Sequence, residues 1–95
     1  MTVYISGKIT GDSGHKEKFA RAAERLMRRG YDVVNPCCIG EHDFLSYEDY
    51  MHIDFAIIDV CGAVYMLADW EGSPGARREK EYAESKGKEI LYEPV

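Results

Sequence analysis

Apolar residues along the chain follow two patterns, short continuous runs and positions spaced three or four residues apart. The runs are rich in β-branched and aromatic residues, as buried strands are, and the spaced positions between them predict helices. Because strand and helix alternate through residues 1–95 without a linker or repeat, we expect a single α/β domain with a parallel sheet. The predicted strands are "TVYIS", "YDVV", "GAVYML" and "EILYEP".

This alternation also predicts where a ligand would bind. In parallel α/β sheets, ligands bind beyond the carboxyl ends of the strands, where the strand-to-helix loops meet. We therefore expect the functional residues in three segments that follow predicted strands. These segments are "SGKITG", "NPCC" and "ADWEGSPG".

The last helix carries a carboxylate on the side where apolar residues are expected. Ser73 is a favourable N-cap, and Gly87 is placed to end the helix in a left-handed conformation. Glu79 lies three residues after Ala76 and four before Ala83, so a helix places it on the same apolar stripe. The sequence therefore predicts an inward-facing glutamate.

The preceding helix also carries an acid, Asp54, on its apolar side. Ser46 is the predicted N-cap of this helix, with Asp49 three residues later. A charge on a buried face is costly unless it is paired, and a slightly rotated helix with its acid at the boundary is the simpler explanation for either acid alone. Two inward acids suit chemistry at an acetal-like carbon, where one attacks or stabilises positive charge and the other transfers protons. The apolar stripe around Asp54 is Tyr47, Tyr50, Met51, Ile57 and Ile58.

One loop and three single residues each have both a functional and a structural interpretation. The loop "SGKITGDSG" could bind an anion through backbone N–H groups and Lys8, but its glycine spacing fits an ordinary turn equally well. Ser73 is an N-cap and also lies at a helix N-terminus, where phosphate binds readily. Tyr4 on the first strand is either a core residue or a hydroxyl donor. Trp70 could stack on a base or sugar, or cover the end of the sheet.

The composition of the chain indicates which partners, cofactors and location to expect. The net charge of −5 with scattered basic residues argues against nucleic acid, and the longest apolar run is too short to span a membrane. The three cysteines fit neither a disulfide pair nor zinc-ligand spacing, so we expect reduced thiols, no metal, no cofactor and a cytoplasmic location. A chain of 95 residues buries a limited core, which favours a homodimer or larger oligomer.

The order of these motifs resembles the nucleoside 2-deoxyribosyltransferase-like superfamily, which includes the 2′-deoxynucleoside 5′-phosphate N-hydrolases. The resemblance is collinear over essentially the whole chain and is strongest to a short bacterial and phage branch. It implies a flavodoxin-like three-layer sandwich with four or five mostly parallel strands. The motifs are "YISGKITG", Asn35-Pro36, Asp54 ahead of "CGAVYML", and "SPGARRE".

The resemblance also implies roles for the residues that match the family's motifs. It implies that Glu79 attacks C1′ of a sugar, that Asp54 assists departure of the nucleobase, and that Tyr4 orients the nucleophile. Asn35 and Pro36, with the loop that follows them, are the candidates for a base pocket. The full set of substrate-binding residues that we predict is Ser6, Gly7, Lys8, Thr10, Gly11, Asn35, Pro36, Trp70, Ser73 and Gly75.

Two differences from the family's transferases favour hydrolysis. Those transferases usually carry Asp where this chain has Ser73, and they commonly have a C-terminal tail, whereas this sequence ends at Val95. We therefore expect an N-glycosidase that cleaves the base–sugar bond of a nucleoside or deoxynucleoside 5′-monophosphate through a glutamate nucleophile. The alternatives are a nucleoside deoxyribosyltransferase and a non-catalytic module that binds or sequesters a nucleotide.

Overall fold

The computed structural model describes residues 1–94, so Val95, the last residue of the predicted domain, lies outside the described residues. Strands and α-helices alternate along this part of the chain, as the sequence predicts. The elements are β1 (Thr2–Ser6), α1 (His15–Arg28), β2 (Asp32–Val34), α2 (Tyr47–Asp59), β3 (Ala63–Met66), α3 (Pro74–Ser85) and β4 (Glu89–Tyr92). Short 3-10 helices lie at Pro36–Ile39 and Trp70–Gly72.

The four strands form one sheet in the order β2-β1-β3-β4, and every neighbouring pair is parallel. The connection after β1 leads to one edge of the sheet, and the connection after β3 leads to the other edge. The strand order therefore reverses between β1 and β3, which is where parallel α/β sheets bind ligands. The predicted flavodoxin-like α/β sandwich is confirmed, with four strands in residues 1–94.

Helices cover both faces of the sheet because successive strand residues point to opposite sides. Val3 and Ile5 pack with buried residues of α1 on one face. Tyr4 belongs to the opposite cluster, which contains buried residues of α2 and α3. Ser6 follows Tyr4 by two positions and so lies on the same face as Tyr4, toward α3.

The predicted helix ends at α2 and α3 are confirmed. Ser46 and Asp49 form a reciprocal capping box at the start of α2. The Ser73 hydroxyl accepts a hydrogen bond from the Ala76 N–H at 3.1 Å, so it caps α3. Gly87 follows the end of α3 with φ +72°, the left-handed conformation that glycine adopts without strain.

The small polar residues of "GKITGDSGHKEK", residues 7–18, predict a loop throughout that stretch, and the start of α1 differs from this prediction. The helix begins at His15, although its N-cap residue Gly14 provides no side-chain cap. Asp12 instead accepts a hydrogen bond from the Gly14 N–H at 2.9 Å, which stabilises the turn before the helix. The charged residues after His15 are good helix formers, and their lack of apolar periodicity concealed the first turn.

Gly7 directly follows β1, beside the carboxyl end of β3. The Leu67 N–H donates to the Ser6 carbonyl at 2.8 Å, which brings the buried Leu67 side chain against Gly7. A Cβ atom on Gly7 would lie 2.7 Å from Leu67 Cδ1 and 2.9 Å from Leu67 Cβ. A larger residue at this position would have to displace the end of β3.

We expect Gly7→Ala to lower the free energy of unfolding by about 1–3 kcal/mol through overpacking. For a domain of this size, each kcal/mol lowers Tm by about 4–8 °C. Gly72→Ala is the matched control, because a Cβ there meets no atom within 4 Å. Thermal unfolding of both variants checks this, and equal Tm values would contradict the steric argument.

Candidate active site

Glu79 is the buried acid around which the site is built. It is 5% exposed and lies on the inner face of α3 with Ala76 and Ala83, so its predicted inward orientation is confirmed. The Tyr4 hydroxyl donates to Glu79 Oε2 at 2.7 Å, and the Ser6 hydroxyl donates to Oε1 at 2.6 Å. Both oxygens of the carboxyl are therefore held by hydroxyl groups of β1.

Asp54 lies on α2, beside Glu79 and Tyr4. Its side chain is half-buried, and burial raises its pKa more than the nearby Glu79 and Tyr4 side chains lower it. Asp54 raises the pKa of Glu79, because a negative charge on one carboxyl disfavours a negative charge on the other. The titrations of the two carboxyls are therefore linked.

The environment changes the pKa of each member of this cluster. Burial raises the pKa of Glu79 well above its ordinary 4.5, and Asp54 raises it further, while the hydroxyls of Ser6 and Tyr4 act in the opposite direction. Burial also raises the pKa of Asp54. Burial and the neighbouring Glu79 raise the pKa of Tyr4 well above 10.0, so Tyr4 stays a hydroxyl donor.

A cleft of about 1140 Å³ opens beside these residues at the carboxyl ends of the strands. Its wall includes Tyr4, Asp54 and Glu79, so the structure brings the three predicted catalytic residues together on one cavity. Most residues of the segment 36–43 also line the cleft. The other predicted binding residues on the wall are Gly7, Lys8, Thr10, Gly11, Pro36, Ser73 and Gly75.

Three predicted binding residues do not line the cleft. Ser6 lies behind it and contacts Glu79. The Asn35 side chain accepts from the Cys37 N–H at 3.0 Å and caps the 3-10 helix at Pro36–Ile39, so it positions that segment. Trp70 packs against the apolar cluster beneath α3, with its ring 6.2 Å from that of Tyr92, so it covers the end of the sheet.

Sequence reasoning missed two hydroxyl groups on the cleft wall, those of Tyr47 and Tyr50. Both residues fit the apolar stripe of α2, but Tyr47 is 49% exposed. A Cβ on Gly75 would lie 3.4 Å from the Tyr47 hydroxyl and 3.9 Å from Ser73 Oγ. The absence of a side chain on Gly75 thus leaves the space between these two hydroxyls open.

Residues 1–94 contain neither a candidate metal-binding cluster nor a helix able to span a membrane. No group of three or more His, Cys, Asp or Glu side chains in this part of the chain has an arrangement that could hold a metal ion. Over the same residues, no helix combines the length and apolar character needed to cross a membrane. The thiols of Cys37, Cys38 and Cys61 are free.

The fold is shared with two solved enzyme structures. The chain superimposes on the Clostridium botulinum CMP N-glycosidase BcmB with a TM-score of 0.67 and 20% identity, covering 97% of this chain and 70% of that one. A 2-deoxyribosyltransferase from Leishmania mexicana gives a TM-score of 0.71 and 20% identity, covering 96% of this chain and 62% of that one. These two enzymes belong to the nucleoside 2-deoxyribosyltransferase-like superfamily, and the chain shares their fold.

The family itself is identified by sequence. Residues 1–92 match the family described as a domain of unknown function, DUF4406, and the chain belongs to that family. No match was found among curated proteins compared by sequence. The chain spans less than two thirds of the Leishmania enzyme.

The raised pKa of Glu79 makes stability depend on pH. A carboxyl whose pKa is higher in the folded state stabilises the fold below its ordinary pKa of 4.5, and that contribution is lost as pH rises through the folded-state value. We therefore expect Glu79→Gln to be more stable than wild type at neutral pH by about 1–3 kcal/mol, because it buries no charge. The difference should disappear in acid.

Thermal unfolding of both proteins across acidic to neutral pH measures this effect. Glu81→Gln, which changes an exposed acid on the same helix, is the matched control and should follow wild type. A stability difference between Glu79→Gln and wild type that stays constant with pH would contradict the assignment.

Proposed function

We propose that this protein is an N-glycosidase that cleaves the base–sugar bond of a nucleoside or deoxynucleoside 5′-monophosphate. The observation that carries the proposal is the Glu79 carboxyl, which β1 hydroxyls hold at both oxygens and which lies beside Asp54 in an open cleft. The two structures of similar fold support it, because one is named as a CMP N-glycosidase and the other as a 2-deoxyribosyltransferase.

Glu79 is the proposed nucleophile. The hydrogen bonds from Tyr4 and Ser6 stabilise the carboxylate form and fix its direction, so little reorganisation is needed during attack. In the first step, a carboxylate oxygen forms a bond to C1′ of the sugar. The electron pair of the C1′–N bond leaves with the nucleobase, and the sugar becomes esterified to Glu79.

Asp54 is the proposed acid and base. In the proposed reactive form, Asp54 is protonated and Glu79 is a carboxylate, and Asp54 gives its proton to the departing nucleobase. Asp54 then accepts a proton from water, whose oxygen bonds to C1′ and releases Glu79 as a carboxylate. The products are the free base and ribose or deoxyribose 5-phosphate.

The proposed 5′-phosphate site lies at the N-terminus of α3. Ser73 and Gly75 line the cleft there, and Lys8 lines it from the loop after β1. The first turn of a helix carries partial positive charge, and the Lys8 ammonium adds a full one. Together they favour a substrate with an anionic 5′ group over a free nucleoside.

We expect wild type to release free base from one or more 5′-monophosphates, as chromatography would detect. Glu79→Gln should lower that rate by about 10³-fold or more, because it removes the nucleophile. Glu81→Gln should keep wild-type activity, since its side chain is on the exposed face of α3. Unchanged release by Glu79→Gln would eliminate the assignment of the nucleophile.

Ser73→Asp tests the phosphate site without removing the helix cap. Asp is as good an N-cap as Ser, so Tm should change little, but its charge repels a phosphate. We expect KM for the monophosphate to rise about ten-fold or more, and KM for the matching nucleoside to stay within about two-fold. Equal changes for both substrates would show that Ser73 does not contact the phosphate.

The same assays separate the alternatives. The fold shared with the Leishmania enzyme favours deoxyribosyl transfer as the second candidate, and base exchange without net release would identify it. Thermal stabilisation by a nucleotide without any release would indicate a binding module. One domain, a homodimer or larger oligomer, and a cytoplasmic location stay predictions. Sedimentation as a monomer would contradict the oligomer.

A further inference from the structure

A second polar cluster joins the loops on either side of the cleft. The Lys18 ammonium on α1 donates to Asp12 Oδ2 at 2.6 Å, to the Lys8 carbonyl at 2.9 Å, and to the Asp69 carboxylate. Asp69 Oδ1 also accepts from the Lys8 backbone N–H at 3.1 Å. We call these four residues the Lys18 cluster.

The cluster connects segments that are distant in sequence. Lys8 and Asp12 belong to the loop between β1 and α1, whereas Asp69 belongs to the loop between β3 and α3. An ammonium has three N–H donors, and Lys18 has three acceptors for them. The Lys8 backbone is held at both its N–H and its C=O.

Solvent shields this cluster less than it shields the exposed Arg21–Glu17 ion pair of the same helix. The side chains of Lys18, Asp12 and Asp69 are 25%, 29% and 35% exposed. The side chains of Arg21 and Glu17, which form an ion pair on α1, are 68% and 71% exposed. A partly buried charge with several hydrogen bonds fixes geometry more strongly than an exposed pair does.

Two members of the Lys18 cluster, Lys18 and Asp69, are not among the described residues that line the cleft. Lys8 does line it, and its N–H already donates to Asp69. The predicted backbone binding of an anion therefore does not apply at this N–H. The part of Lys8 left to face a substrate is its side chain.

We propose that Lys18 is a positioning residue that sets the Lys8 side chain relative to the N-terminus of α3. Through Asp69 it fixes the spacing between the two sides of the phosphate site, without contacting substrate. The inference rests on the proposed function in one respect, that the anionic group of the substrate lies between Lys8 and Ser73.

Kinetics of Lys18→Met on a monophosphate and its matching nucleoside test the proposal. We expect KM for the monophosphate to rise about ten-fold with kcat within about three-fold, because a misplaced contact remote from C1′ weakens binding in ground and transition states alike. KM for the nucleoside should not change. Arg21→Met, which removes an exposed ion pair of the same helix, should match wild type for both substrates.

A double variant separates positioning from a general loss of stability. If Lys18 acts through Lys8, then Lys8→Met should raise KM for the monophosphate, and adding Lys18→Met should raise it little further. Additive effects, or equal changes for monophosphate and nucleoside, would overturn the proposal. Asp69→Asn provides a second variant if Lys18→Met does not fold, since it keeps an acceptor for the Lys8 N–H but removes the charge.

Amide hydrogen exchange gives a measurement that needs no turnover. We expect Lys18→Met to accelerate exchange at the Lys8 amide and across residues 68–72 by about ten-fold or more, while β3 exchanges as in wild type. Unchanged exchange in both loops would overturn the positioning role. If wild type releases no base but the exchange result holds, the proposed function fails and the positioning of Lys8 stands.

Discussion

The structure of the site depends on one constraint, the burial of the Glu79 carboxyl between α3 and the sheet. A buried carboxyl is tolerated only where hydrogen-bond donors reach it, and Tyr4 and Ser6 supply one donor to each oxygen. They can do so because alternate residues of a strand point to the same face. The register of α3 over β1 is therefore fixed by polar contacts as well as by the apolar packing of Ala76 and Ala83.

The same burial links stability to chemistry. Desolvation raises the pKa of Glu79, and Asp54 adds a second acid whose pKa is also raised. Such an arrangement costs folding free energy at neutral pH, as functional sites commonly do, and places two interacting carboxyls in an open cleft. The described residues form three α-helices and four strands. The carboxyl pair lies where the strand order reverses, beside the loops that follow β1 and β3.

The comparisons and the geometry support the functional proposal in different ways. At 20% identity, the two solved enzymes establish a shared fold, and a fold can host more than one chemistry. The features that favour glycoside chemistry at this site belong to the chain itself: the carboxyl pair, its hydroxyl partners and the cationic side of the cleft. The loop that carries Lys8 is held in place from outside the cleft by the Lys18 cluster.

Features that depend on neighbours in sequence were predictable: the alternation of strand and helix, the caps at Ser46 and Ser73, and the inward side of α3 that holds Glu79. These follow from periodicity and from the hydrogen-bonding needs of helix ends. The tertiary structure alone decided which donors reach Glu79, that Trp70 covers the sheet instead of the cleft, and that Lys18 joins two loops. Such contacts pair residues up to 75 positions apart, and no local rule fixes them, because they depend on strand order and register.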